Sequence, residues 1–245
     1  MKVLGFMSIH YGVEYLRESL LSIQNHVDTM VIAYTPQPSH GYGTTLTCPD
    51  TRDEIYKIAV EVLGDKLIFD EDVYGNESHH RRKAHQYVKG HNLILSIDAD
   101  EVFKEDEIST ALNYAYNGSA RYYGIDGYFN FWRSFNWVCL DGFRPIRIEN
   151  LGANNNSQDL NCKLTIYHFS TAQRREIMEY KYRIFGHASE IKSNYLDEVF
   201  YKWTPENNFG DLHPVSLNLW HAQPFDKNTL PKYLKEHENF NKELI

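Results

Sequence analysis

The sequence predicts an α/β protein, with a mostly parallel central sheet flanked by helices and a mixed α+β C-terminal half. Three observations carry this. The first hundred residues alternate short β-branched apolar runs with stretches of helical periodicity: strand, helix, strand, helix, strand, helix, strand. Such alternation implies parallel strands joined by right-handed crossovers. Beyond about residue 120 the pattern changes to aromatic-rich runs broken by turns. Finally, 42% apolar residues in a chain of 245 supply a sizeable core without disulfides.

Val3 to Ile9 is the first strand. Tyr11-Gly12 turns it into a helix whose apolar positions, Val13, Leu16, Leu20, Ile23 and Val27, are spaced three and four apart and form one buried face. Thr29 to Tyr34 is the second strand, followed by a Pro- and Gly-rich loop from Thr35 to Gly43. Pro49-Asp50-Thr51 starts a helix carrying Ile55, Ile58, Val62 and Leu63, and Gly64 stops it. Lys66 to Phe69 is the third strand and ends at Asp70-Glu71-Asp72. A helix from about Glu77 to Val88 leads to Gly90 and a fourth strand beginning at Leu93.

A further helix, with Ile108, Ala111, Leu112 and Ala115 on its inner face, ends at Asn117-Gly118. Tyr122 to Phe135 and Phe143 to Ile148 read as strands, turned by Asp141-Gly142. Gly152 to Leu160 is a polar loop, Leu164 to His168 a strand, and Ser170 caps a helix from Thr171 to about Phe185. The last helix starts at Pro231, a first-turn proline. No linker divides the chain, so one domain over 1–245 is expected.

The fourth strand, Leu93-Ile94-Leu95-Ser96-Ile97, runs straight into Asp98-Ala99-Asp100-Glu101. In α/β proteins the carboxyl end of such a strand opens onto the ligand crevice. Strand alternation sends the side chains of Asp98 and Asp100 the same way. Two converging carboxylates suit Mg²⁺ or Mn²⁺ and, through the metal, a diphosphate. The competing structural role is to start the next helix, where acids are favoured. No Gly-x-Gly-x-x-Gly and no Gly-Lys-Ser/Thr loop is present, so the glycine-rich phosphate cradles are missing.

Composition narrows the partners. The balance of 25 Lys and Arg against 33 Asp and Glu gives a net charge of −8, against a surface built for nucleic acid. Tyrosines, at 18, outnumber the 13 Phe and 4 Trp together, and their rings and hydroxyls suit nucleotide or sugar binding. Cys48, Cys139 and Cys162 form no Cys-x-x-Cys pair, which argues against zinc and fits a reducing compartment. The N-terminus lacks a signal-peptide pattern, and no run reaches the ~18 apolar residues of a membrane span. The expectation is a cytoplasmic protein with no transmembrane segment.

Together these residues resemble the nucleotide-sugar glycosyltransferases of the GT-A fold, nearest to the family 2 type. The likeness lies in the opening strand-helix-strand, Val3 to Tyr34, and in Arg81-Arg82-Lys83-Ala84 followed by Gly90 and Leu93 to Glu101. That spacing is similar to the family's Arg-Asn-x-Ala and Asp-Ala-Asp-Glu. A weaker likeness to a metal-histidine region runs through Tyr167-His168-Phe169-Ser170, Lys181 and Phe185-Gly186-His187. Lys83 departs from the usual Asn, and the loop at Thr35 lacks the usual acidic run.

The resemblance implies a Rossmann-like sheet of GT-A type, with residues 1–105 holding the nucleotide sugar and 106–245 the acceptor. It implies a UDP-sugar donor, with Asp98 near ribose and metal and Asp100 ligating Mn²⁺ or Mg²⁺, the ion neutralising the leaving diphosphate. His168 and His187 are candidates for a further metal ligand. Asp70 or Asp72 is placed to accept from a uracil N–H, Arg81 or Arg82 to meet phosphate or base, and His10-Tyr11 to flank the base. An inverting transfer needs a general base, for which Asp141 and Glu190 are candidates. Trp132, Trp137 and Trp220 are candidate sugar platforms, with the core as their ordinary role. The acceptor is open among glycan, lipid carrier, protein, small molecule and the modified bases of DNA. The rival readings are a metal-dependent phosphatase or phosphotransferase and a non-catalytic nucleotide-sugar-binding module.

Overall fold

The computed structural model describes residues 1–39, 44–140, 142–154, 159–208 and 210–243. In chain order the elements are β1 (Val3–Ile9), α1 (Val13–Ile23), β2 (Thr29–Tyr34), α2 (Arg52–Leu63), β3 (Leu67–Glu71), α3 (Glu77–Arg82), β4 (Leu93–Ser96) and β5 (Glu101–Phe103). They continue with α4 (Glu105–Asn117), β6 (Tyr122–Trp132), β7 (Trp137–Cys139), β8 (Ile146–Asn150), β9 (Leu160–Thr171), α5 (Arg175–Ile184), β10 (Ala222–Pro224) and α6 (Lys232–Lys235). The chain divides into two compact units. The first takes residues 1–39, 50–128 and 143–168, and the second the rest, so the boundary falls inside β6 after Tyr128 and inside β9 after His168.

The first unit is built on four parallel strands in the order β4-β1-β2-β3, in register Leu4↔Ile94, Leu4↔Thr29 and Val31↔Ile68. β1 is covered on both faces, which is why it reads as an unbroken apolar run. Val3, Met7 and Ile9 enter a large core with Leu16, Leu20 and Ile23 of α1. Leu4 and Phe6 enter a smaller one with Ile94, Ala84 and Tyr87. From β8 onward pairing turns antiparallel: β8 against β4, β6 against β8, and β5 against β9. The sheet is therefore mixed, not mostly parallel, because the later strands lack the helical crossovers that parallel pairing needs.

Helix ends follow local chemistry. Thr51 and Glu54 form a capping box at the start of α2, and Gly64 stops it. Asn76 caps α3, its Oδ1 accepting the His79 N–H at 3.0 Å. The helix expected to reach Val88 loosens after one and a half turns into a 3-10 turn, Lys83–Gln86. The helix expected from Thr171 starts four residues later, since Thr171 closes β9 and its hydroxyl donates to the Phe131 carbonyl at 2.7 Å.

In the second unit the end of β6 pairs with β7, and β7 with β10. Its core gathers Trp132, Trp203, Phe200, Tyr195, Met178 and Leu212. Within this unit β6 ends at Trp132 rather than Phe135, because Arg133 turns out with φ +59°. Its buried guanidinium donates to the carbonyls of Phe200 and Trp203.

Candidate functional site

The acidic motif lies in a turn just past β4. Strand pairing with β1 reaches Ser96, and Ile97 N–H still donates to the Phe6 carbonyl at 3.0 Å. The chain then folds over: Glu101 N–H donates to the Asp98 carbonyl at 3.0 Å. Strand alternation therefore does not orient Asp98 and Asp100, contrary to the sequence expectation; a turn does. Two contacts seat it. Ser19 of α1 donates its hydroxyl to the Asp98 carbonyl at 3.1 Å. Gly12, at φ +134°, passes so close that a Cβ there would lie 2.7 Å from Ala99 Cβ. Only glycine combines that backbone with that approach.

Asp98 is held from both sides. One carboxylate oxygen meets Arg81 of α3 at 3.1 Å, the other Arg147 of β8 at 2.8 Å. Arg147 also grips Glu101, with Nε to Oε2 at 2.8 Å and a second bond to Oε1. Tyr128 donates its hydroxyl to the same carboxylate at 3.1 Å. Glu101 is fully buried, while the Arg147 side chain keeps 11% exposure. Breaking such a pair strands a charge and costs roughly 3–5 kcal/mol. Burial alone would raise the Asp98 pKa; Arg147 and Arg81 outweigh it and hold this carboxyl well below the usual carboxylate range. Burial and Glu101 push the Tyr128 phenol well up, so it remains a donor.

Asp100 faces a different neighbour. Its Oδ1 lies 3.6 Å from Nε2 of His168, which β5–β9 pairing brings opposite Glu101. The Tyr128 ring stacks on His168 at 4.9 Å between centroids and 29°, and Phe143 meets Tyr128 edge-on at 5.6 Å. Asp100 and His168 thus pair a hard oxygen with an imidazole, donors suited to Mn²⁺. No cluster of three or more His, Cys, Asp or Glu suited to a metal occurs among the described residues. A divalent ion here would take its other positions from substrate oxygens and water, as Mg²⁺ commonly does. The carboxylate of Asp98, taken up by two guanidiniums, contributes less readily.

The other predicted residues fall in three places. At the end of β3, Asp70 accepts from the Tyr87 hydroxyl and pairs with Lys83 at 3.2 Å, and Asp72 lies 3.5 Å from the same ammonium. Lys83 thus partly neutralises this end. The bond to Asp70, with burial, pushes the Tyr87 pKa to about 12. Nearby, Tyr74 stacks on His80 at 4.3 Å. After β1, His10 Nδ1 lies 2.8 Å from the Thr35 carbonyl, and its ring meets Tyr11 edge-on. Arg82 is exposed. The amides of Gly12 and Val13, at the start of α1, both donate to Asp50, at 2.7 and 2.9 Å. A carboxylate of the chain itself thus fills the position where a phosphate would meet a helix N-terminus.

The second unit holds the rest. His187 and Glu190 pair with each other at 2.9 Å, both largely exposed. Trp132 is fully buried, and a ring with no open face is core rather than a sugar platform. Trp220 is also buried, whereas Trp137 is half-buried and edge-on to Trp203 at 5.3 Å. Asp141 lies outside the described residues.

No protein-family model and no curated protein matches this chain. Solved structures similar to it include S. aureus TarS 1-349, at 14% identity over 52% of this chain and 36% of that one, with a TM-score of 0.39. TarS 1-349 in complex with UDP-GlcNAc is similar at 15% identity, over 52% of this chain and 34% of that one, with a TM-score of 0.38. The chain spans about a third of the length of these structures. No helix among the described residues is long and apolar enough to cross a membrane.

Proposed function

We propose that this chain is a metal-dependent glycosyltransferase that moves a sugar from a nucleotide sugar, in our reading a UDP-sugar, to an acceptor hydroxyl with inversion. The observation that carries the reading is the acidic turn. It stands just past the carboxyl end of β4, the parallel strand that borders the antiparallel part of the sheet, with Asp100 beside His168 and two guanidiniums at Asp98. Mn²⁺ or Mg²⁺ held by Asp100 and His168 would supply Lewis-acid neutralisation of the diphosphate leaving group. Arg81, with a half-exposed side chain, binds phosphate oxygens by charge-assisted hydrogen bonds. The uracil edge sits toward the end of β3, where Asp70 or Asp72 accepts its N–H. Tyr128 and Phe143 line the sugar side. For the acceptor proton the candidate general bases remain Asp141 and Glu190.

The test is incubation with UDP-glucose and Mn²⁺ while UDP and inorganic phosphate are followed separately. Slow UDP release is expected. Release of UMP and glucose 1-phosphate, or of inorganic phosphate from p-nitrophenyl phosphate offered in parallel, would make the chain a phosphohydrolase, and binding with no product a binding module. Asp100→Asn is expected to lower UDP affinity in Mn²⁺ by about 10- to 100-fold in calorimetry, with the fold retained. Unchanged affinity would remove the ion from Asp100.

A further inference from the structure

β6 and β8 do not pair evenly. Tyr122 faces Glu149 and Tyr123 faces Ile148, but Gly124 faces Ile146. The step skips one residue on β8, and that residue is Arg147. A bulge of this kind frees a side chain from the strand's alternation and re-aims it, and bulges gather beside functional sites. Here the re-aimed side chain is the one that bridges Asp98 and Glu101. Its seat is buried: Glu101 has no exposure, and Tyr128 ties the same carboxylate from β6. Arg147 is also separated from Asp98 by 49 positions in the chain, so this contact fastens the acidic turn to β8, the antiparallel neighbour of β4.

We infer that Arg147 is a positioning residue: its forked hold on Asp98 and Glu101 fixes the acidic turn and, through the other oxygen of Asp98, the Arg81 guanidinium that an anionic substrate meets. A guanidinium does this because its donors form a planar fork that spans two carboxylates; an ammonium is a point charge and holds one geometry less firmly. Arg81 reaches Asp98 with one terminal nitrogen and Glu77 with Nε, leaving further donors of its five for a diphosphate. The inference rests on the reading of this site as one for a nucleoside diphosphate.

The experiment titrates UDP in Mn²⁺ into the whole chain and its variants by calorimetry, with thermal unfolding measured in parallel. Arg147→Lys keeps a positive charge against Glu101 and is expected to recover much of the stability that Arg147→Met loses. It is not expected to recover affinity, which stays about tenfold or more below wild type. If affinity and unfolding temperature recover together, or if a folded Arg147→Met binds like wild type, Arg147 is structural and the inference is wrong. Should Arg147→Met not fold, a cycle with Arg147→Lys and Arg81→Met decides. Because Arg147 acts through Arg81, the loss caused by Arg147→Lys is expected to shrink once Arg81 is gone; additive losses overturn the inference. If the wild type does not bind UDP at all, it is the proposed function that fails; binding that ignores Arg147 sinks only this inference.

Discussion

At the scale of single residues, the site depends on how closely the loop after β1 can approach the acidic turn. Gly12 sits at φ +134° with Ala99 Cβ only 2.7 Å from where its own Cβ would lie. Gly12→Ala therefore forces both a strained backbone and a displaced turn. The expected loss is about 1–3 kcal/mol in urea unfolding. UDP affinity in Mn²⁺ is expected to fall as well, because Asp98 and Asp100 move with Ala99. A variant as stable and as tightly binding as wild type would show that the approach is not needed. The two acids were legible in the sequence because a short apolar run ended in them. Arg147 was not. Its place is set by a bulge in β6–β8 pairing, and register between strands is a non-local property that local spacing does not encode. Trp132 takes the ordinary core role, and aromatic type alone does not tell a platform from a core ring.

At the scale of elements, periodicity was enough wherever one face is buried and the ends carry recognisable caps, as in β1, α1, β2 and α2. It failed for β5, three residues that exist only because β9 pairs with them, and for the π-helical turn Leu196–Phe200. The junction of β5, α4 and β9 rests on a carboxylate in the first turn of α4. Glu107 accepts from the Thr165 N–H at 2.8 Å and pairs with Lys104 at 2.8 Å. Burial opposes its ionised form, but these partners prevail and its pKa is lowered. A depressed native pKa stabilises the fold fully above the unfolded value, near 4.3, and the gain vanishes as pH falls through the native one. Glu107→Gln is thus expected to cost about 1–2 kcal/mol at neutral pH. The gap between variant and wild type should close in acid. A gap that persists unchanged at the lowest pH where both remain folded would mean that the charge is not what holds this junction.

At the scale of the whole molecule, the two units invite a division of labour. Asp98, Asp100, His168, Arg81, Arg147 and Tyr128 all belong to the first. The second is organised around its own aromatic core, which Trp137 joins through Trp203. From the sequence, donor and acceptor halves are expected at 1–105 and 106–245 within one domain; by contacts, α4, β8 and most of β9 cluster with the first unit. Patterning reports local structure, whereas a compact unit is defined by which distant segments touch. If donor binding is confined to the first unit, Trp137→Ala acts on stability alone. Losing a half-buried indole is expected to cost about 2 kcal/mol, or roughly 4–8 °C in unfolding temperature. UDP affinity should then stay within about twofold of wild type, as for a substitution not coupled to the ligand. Hydrogen exchange supplies the complementary view. UDP with Mn²⁺ should slow exchange in peptides spanning 8–13, 76–103 and 143–149, because a ligand that binds only the folded state suppresses local opening where it binds. Peptides from 175–235 should exchange at their unliganded rates. Equal protection in both stretches, or a UDP affinity that falls with Trp137, would mean that the nucleotide engages the second unit too.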